Sequence, residues 1–138
     1  MTLDLWLAAS AAIIGALLGL LSLISPERAS HIVRLQPIQN APGGFAEFRA
    51  TYGGLLLFAH LAVLLAILMR EQAGMASVIG ASFAVGAAWL GAALGRALAM
   101  LADHEKHQTR TGYNAFSTVF ELALALALLA PWIGHLRF

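Results

Sequence analysis

Four stretches of this chain are almost free of charge, and each is long enough to cross a lipid bilayer. Leu5 to Ile24 runs 20 residues without an ionisable side chain. At about 1.5 Å per residue that is about 30 Å of helix, the thickness of a bilayer's hydrocarbon core. Ala50 to Met69 is interrupted only by His60, Gly74 to Ala102 carries Arg96 near its end, and Ala115 to Ile133 contains Glu121. Backbone groups in hydrocarbon must be hydrogen-bonded within their own segment, so all four are expected to be helices. Dense Leu and Ala agree with that on propensity. With the flanking turns the spans are expected at 5–24, 47–69, 74–102 and 113–133. The fold class is then all-α: one domain, an integral membrane four-helix bundle.

Only 11% of the 138 residues are charged, against about 25% in soluble domains. The mean hydropathy is +0.80. A chain so composed cannot cover itself with a water-facing surface, and its expected surroundings are the lipid bilayer. Eight basic residues against seven acidic ones give a net charge of +1, with no basic field for nucleic acid. The absence of cysteine excludes disulfides, zinc–thiolate sites and thiol catalysis.

The first apolar stretch is expected to be a retained helix and not a signal peptide. Its leader, Met1 to Leu5, holds Asp4 and no Lys or Arg, and no small-x-small cleavage site follows. Ser25-Pro26 then starts a short amphipathic helix, with Ala29, Ile32 and Val33 on one face and Glu27, Ser30, His31 and Arg34 opposite. Such a helix is expected to lie at the membrane surface. Pro37 and a Pro42-Gly43-Gly44 turn lead into the second span. Arg70 to Ala73 leaves room only for a tight hairpin between spans 2 and 3, and Asp103 to Gly112 is a polar link. Arg28, Arg34, Lys106 and Arg110 occupy the 1–2 and 3–4 connections, with Arg49 and Arg96 near the same side. Only Arg70 and Arg137 lie opposite. The positive-inside rule therefore puts both connections in the cytoplasm and both termini outside.

Within that frame the ionisable residues can be placed by depth. Arg96 lies six residues before the end of span 3 and Glu121 six after the start of span 4, each about 9 Å inside. The two spans run antiparallel, so the residues enter from one side at matching depth, where a charge-assisted pair keeps both ionised. Glu47, Arg49 and Tyr52 open span 2 on that side, and Asp103 ends span 3. At 100° per residue Arg49, Gly53, Leu56 and His60 share a face of span 2, while Trp89, Ala92, Arg96 and Asp103 share one of span 3. Asn114, Ser117, Thr118 and Glu121 form a stripe on span 4. These polar faces are expected to converge, either as glue for the bundle or as a ligand or proton site.

His60 near mid-membrane is a candidate haem ligand or proton relay, but a core histidine donating to a backbone carbonyl is the preferred reading. Asp103 and His107 at i, i+4 have a spacing that a metal can use; a solvated polar link is preferred, and no metal or other cofactor is expected. No nucleophile triad, phosphate loop or dinucleotide fingerprint is present. Gly15 and Gly19 form a GxxxG extended by Ala8, Ala11 and Ala12. Span 3 carries Gly80, Ala84, Ala87, Ala88, Gly91 and Gly95. Such faces join helices within a bundle or between protomers, and intramolecular packing is the expectation for both.

The segment Glu47-Phe48-Arg49-Ala50-Thr51-Tyr52-Gly53-Gly54 resembles the hallmark of a family of small four-helix bacterial membrane proteins, the domain of unknown function 4345 family. The likeness extends over nearly the whole chain: a first span ending at Pro26, a surface segment, Gly95-Arg96 late in span 3, Asp103 after it, and Glu121 in span 4. It implies the four-helix fold and a bacterial inner membrane, and it brings no activity. The expected function is a non-enzymatic accessory or binding subunit, within a larger membrane complex or a homo-oligomer. The alternative is a membrane-embedded enzyme or transporter for a small amphipathic molecule, with Glu47 or Glu121 accepting a proton and Arg49 or Arg96 holding an anionic head.

Overall fold

The computed structural model describes residues 1–37 and 43–136, and every regular element among them is helical. In chain order these are α1 (Leu3–Ile24), α2 (Pro26–Val33), α3 (Gly44–Leu68), α4 (Arg70–Ala73), α5 (Met75–Ala102), α6 (His104–His107) and α7 (Gly112–His135). By length and composition α1, α3, α5 and α7 are able to cross a membrane. Helix α3 begins at Gly44, three residues before the expected Glu47, and α7 continues through Pro131 to His135.

Local chemistry sets the boundaries. Pro26 takes the first position of α2, where its missing N–H is no loss. Gly74, at φ 80° and ψ 161°, joins α4 to α5 in a backbone conformation that side chains disfavour, and so allows the tight hairpin. The Thr111 side chain accepts from the Asn114 N–H at 3.1 Å and caps α7.

Helices α5 and α7 pack extensively on each other, as do α1 and α3, and α1 also packs on α7. The core contains Leu5, Ala8, Ala12, Val63, Val78 and Leu128. The small face of α1 lets it approach α3 closely. A Cβ at Gly19 would stand 2.5 Å from the Leu57 backbone nitrogen, and one at Gly15 would stand 2.1 Å from His60 Nε2. Helix α5 departs from expectation. Gly80, Gly91 and Gly95 have open space where a Cβ would stand, and Ala84, Ala87 and Ala88 are exposed. Only Gly86 meets a partner, at Leu128 and Leu129. The bulky side chains that fill the interior (Val78, Trp89, Arg96) lie on the opposite face of α5, so its small residues turn outward.

Helix α2 also differs from its expected facing. Ala29 and Ser30 are buried together, while Ile32 is exposed. The helix folds back on α1, and Ser30 tolerates burial because its hydroxyl donates to the Glu27 carbonyl at 2.8 Å. Its far end is strapped to α7. The Arg34 guanidinium lies 3.9 Å above the Tyr113 ring, and the Tyr113 hydroxyl donates to the Ile32 carbonyl. The exterior of the bundle is apolar: Leu3, Phe58, Leu68, Leu101 and Phe116 are each at least 68% exposed.

Candidate functional site

Arg96 and Glu121 meet. Arg96 Nη2 donates to Glu121 Oε1 at 2.6 Å, and Arg96 Nε lies 3.1 Å from both carboxylate oxygens. The Glu121 side chain is 8% exposed and that of Arg96 31%. A planar guanidinium is the cation that can offer two donors to one carboxylate at once. Arg96 Nη1 approaches Asn114 Oδ1 at 3.4 Å, and Asn114 Nδ2 donates to the Thr109 carbonyl at 2.7 Å. Thr109 in turn donates its hydroxyl to the Ala99 carbonyl at 2.8 Å. The pair thus continues into a chain of hydrogen bonds that ties the end of α5, the link after it and the start of α7 into one unit. Tyr52 stacks on Phe48 with ring centroids 4.9 Å apart, and among the described residues it makes no hydrogen bond to the pair.

The other expected members do not join this network. Arg49 is exposed and donates Nε to the Leu23 carbonyl at 3.1 Å, placing a cation on the last turn of α1. That position satisfies a carbonyl left free at a helix end and complements the helix dipole. Glu47 is exposed and, among the described residues, has no ion-pair partner. Asp103 is exposed at the junction of α5 and α6, likewise without an ion-pair partner among the described residues. The expected convergence assumed 100° per residue along span 2. Arg49–Leu55 instead forms a π-helix, whose wider turn rotates less per residue. Gly53 accordingly packs on Leu23 and His60 on Gly15, so this face of α3 lies mainly against α1, and it meets the expected face of α5 through His60 and Trp89.

His60 forms a separate, fully buried site. Its Nδ1 lies 2.6 Å from the Leu56 carbonyl, which can only accept, so Nδ1 carries the proton. Its Nε2 accepts from Trp89 Nε1–H at 2.9 Å. Both ring nitrogens are occupied, which leaves none to ligate haem and matches the preferred reading of a core histidine bonded to a carbonyl. The sequence places Trp89 on a polar face but does not identify it as the partner of His60. The sequence pattern does not point to Tyr113. Its signal is an aromatic immediately before Asn114, the first residue of the polar stripe, at the membrane end where Arg34 also lies. Among the described residues no group of three His, Asp or Glu is disposed to hold a metal ion. His104 instead accepts from the Arg110 backbone N–H at 3.3 Å. Pro42 and Arg137, used in the turn and orientation readings, lie outside the described residues.

No protein-family model matches the chain, and no curated protein or solved structure is significantly similar to it.

Proposed function

We propose that this chain is a multi-pass integral membrane protein of the bacterial inner membrane, with both termini outside, acting as a non-enzymatic accessory or binding subunit. In this reading the Arg96–Glu121 pair is a fastening between α5 and α7 near the cytoplasmic leaflet, not a reacting centre. The observation that carries it is the closure of the pair on itself. Both Glu121 oxygens are engaged by one guanidinium, and the cleft found at this end of the bundle is lined by neither residue. An enzyme or transporter working through Glu121 needs a path to that carboxylate. The apolar exterior and the outward small-residue face of α5 suit a protein surrounded by lipid and neighbouring helices. The likeness of Glu47 to Gly54 to the four-helix bacterial family agrees with this setting.

Native mass spectrometry of the chain extracted gently from its own membrane tests the reading. A partner chain or a second copy carried in fixed stoichiometry is the expected result. A lone chain that takes up a small amphiphile and releases it altered, or on the other side of a vesicle, would replace the accessory reading with the enzyme or transporter one.

A further inference from the structure

We propose that the cleft between the end of α2 and the first turns of α3 binds the ammonium headgroup of a membrane lipid. The cleft encloses about 220 Å³ and is lined by Leu35, Gln36, Pro37, Glu47, Phe48 and Tyr52, with Gly44 and Thr51 completing it. Glu47 is the one charged side chain of that lining and, among the described residues, has no ion-pair partner. The Phe48 and Tyr52 rings, which share that lining, stack 4.9 Å apart, with Phe48 buried and Tyr52 half-buried. A carboxylate next to aromatic faces complements an alkylammonium, which gains from the charge and from the ring quadrupoles together. It repels an anionic head. Gly44 keeps one wall in place, since a Cβ there would stand 2.6 Å from that of Pro37.

The cleft is open to the surroundings and large enough to admit an aminoethyl group. The site opens at the end of a helix apolar enough to span the bilayer, with exposed Leu35 at its rim, so the chains of a lipid can remain in the membrane. This inference rests on the membrane reading above and assigns a ligand class within it.

The test uses the full chain, stripped of lipid in detergent and titrated in native mass spectrometry with phosphatidylethanolamine or phosphatidylglycerol of equal acyl length. Phosphatidylethanolamine is expected to bind more tightly. Glu47→Gln should weaken it about fivefold, the effect of losing one largely exposed ion pair. Glu47→Lys should turn the preference toward phosphatidylglycerol, and Glu71→Gln in α4, beyond the opposite end of α3, should change nothing. Equal binding of the two lipids, or unchanged phosphatidylethanolamine binding by Glu47→Gln, overturns the proposal. Displacement by millimolar free ethanolamine overturns the lipid assignment in favour of a soluble amine. Recovery of the chain from lysate without detergent would defeat the membrane reading itself. Loss of headgroup preference in a protein that still needs detergent defeats only this inference.

Discussion

Gly15→Ala is the smallest change with a large expected effect, because the added methyl group has nowhere to go. It would stand 2.1, 2.2 and 2.5 Å from Nε2, Cδ2 and Cε1 of His60, where ordinary van der Waals contact begins at 3.4 Å. Either α1 retreats from α3, opening the Gly19–Leu57 and Gly53–Leu23 contacts, or the imidazole swings aside. The second course breaks the 2.9 Å bond from Trp89 and the 2.6 Å bond to the Leu56 carbonyl. Overpacking costs about 1–3 kcal/mol, and a broken hydrogen bond about 1 kcal/mol more. The expected loss is therefore about 1–3 kcal/mol if α1 retreats and about 3–5 kcal/mol if the imidazole swings aside and both bonds break. Thermal unfolding in a single detergent, followed by tryptophan fluorescence, reads it out. His60→Ala removes the obstacle at its own cost, so the double variant Gly15→Ala/His60→Ala should be no less stable than His60→Ala alone. Strictly additive losses would refute the reasoning, since they would mean that Gly15 and His60 do not touch.

Trp89→Phe keeps the ring but removes the N–H that His60 accepts, so it should cost about 1–2 kcal/mol by leaving a buried acceptor unpaired; in His60→Ala the same change should cost much less. Tyr113→Phe or Arg34→Ala should free the end of α2 from α7 with little change in melting temperature, and limited proteolysis should then cut faster between Arg34 and Gly44. Single cysteines at Thr2 and Gln72 should react with an impermeant thiol reagent on intact cells and one at Thr109 should not; the native chain contains no cysteine to confuse the pattern. The reverse pattern would invert the proposed orientation.

Much of the architecture is legible in the sequence because bilayer-length apolar runs admit few solutions. The four long helices and the Arg70–Ala73 hairpin follow from length and charge alone. So does the meeting of Arg96 with Glu121, since sequential antiparallel helices bring residues of equal depth together. What stays hidden depends on rotation about helix axes. The π-helical stretch at Arg49–Leu55 removes the regular 100° step, and with it the basis for placing Arg49 opposite Arg96, while His60 still meets Trp89 on the Arg96 face of α5. The outward turn of Gly80, Gly91 and Gly95 is equally hard to foresee, because a small-residue stripe suits a neighbour inside the bundle as well as one outside it. Ser30 shows a third limit: a hydroxyl that bonds its own helix can be buried as readily as an alanine.

Exchange of the central charges, Arg96→Glu with Glu121→Arg, tests most directly whether the pair fastens the bundle or serves a site. Each single alanine variant should lose about 3 kcal/mol. This is the low end for a stranded buried charge, because Arg96 is partly exposed and hydrogen bonds between membrane helices are weak. If the pair is a fastening, the exchanged protein should regain most of its melting temperature, and native mass spectrometry should find it carrying the same partner chains or lipids as the wild type. Restored stability with the partners lost would contradict that account, as would single losses that add in the exchanged protein without rescue.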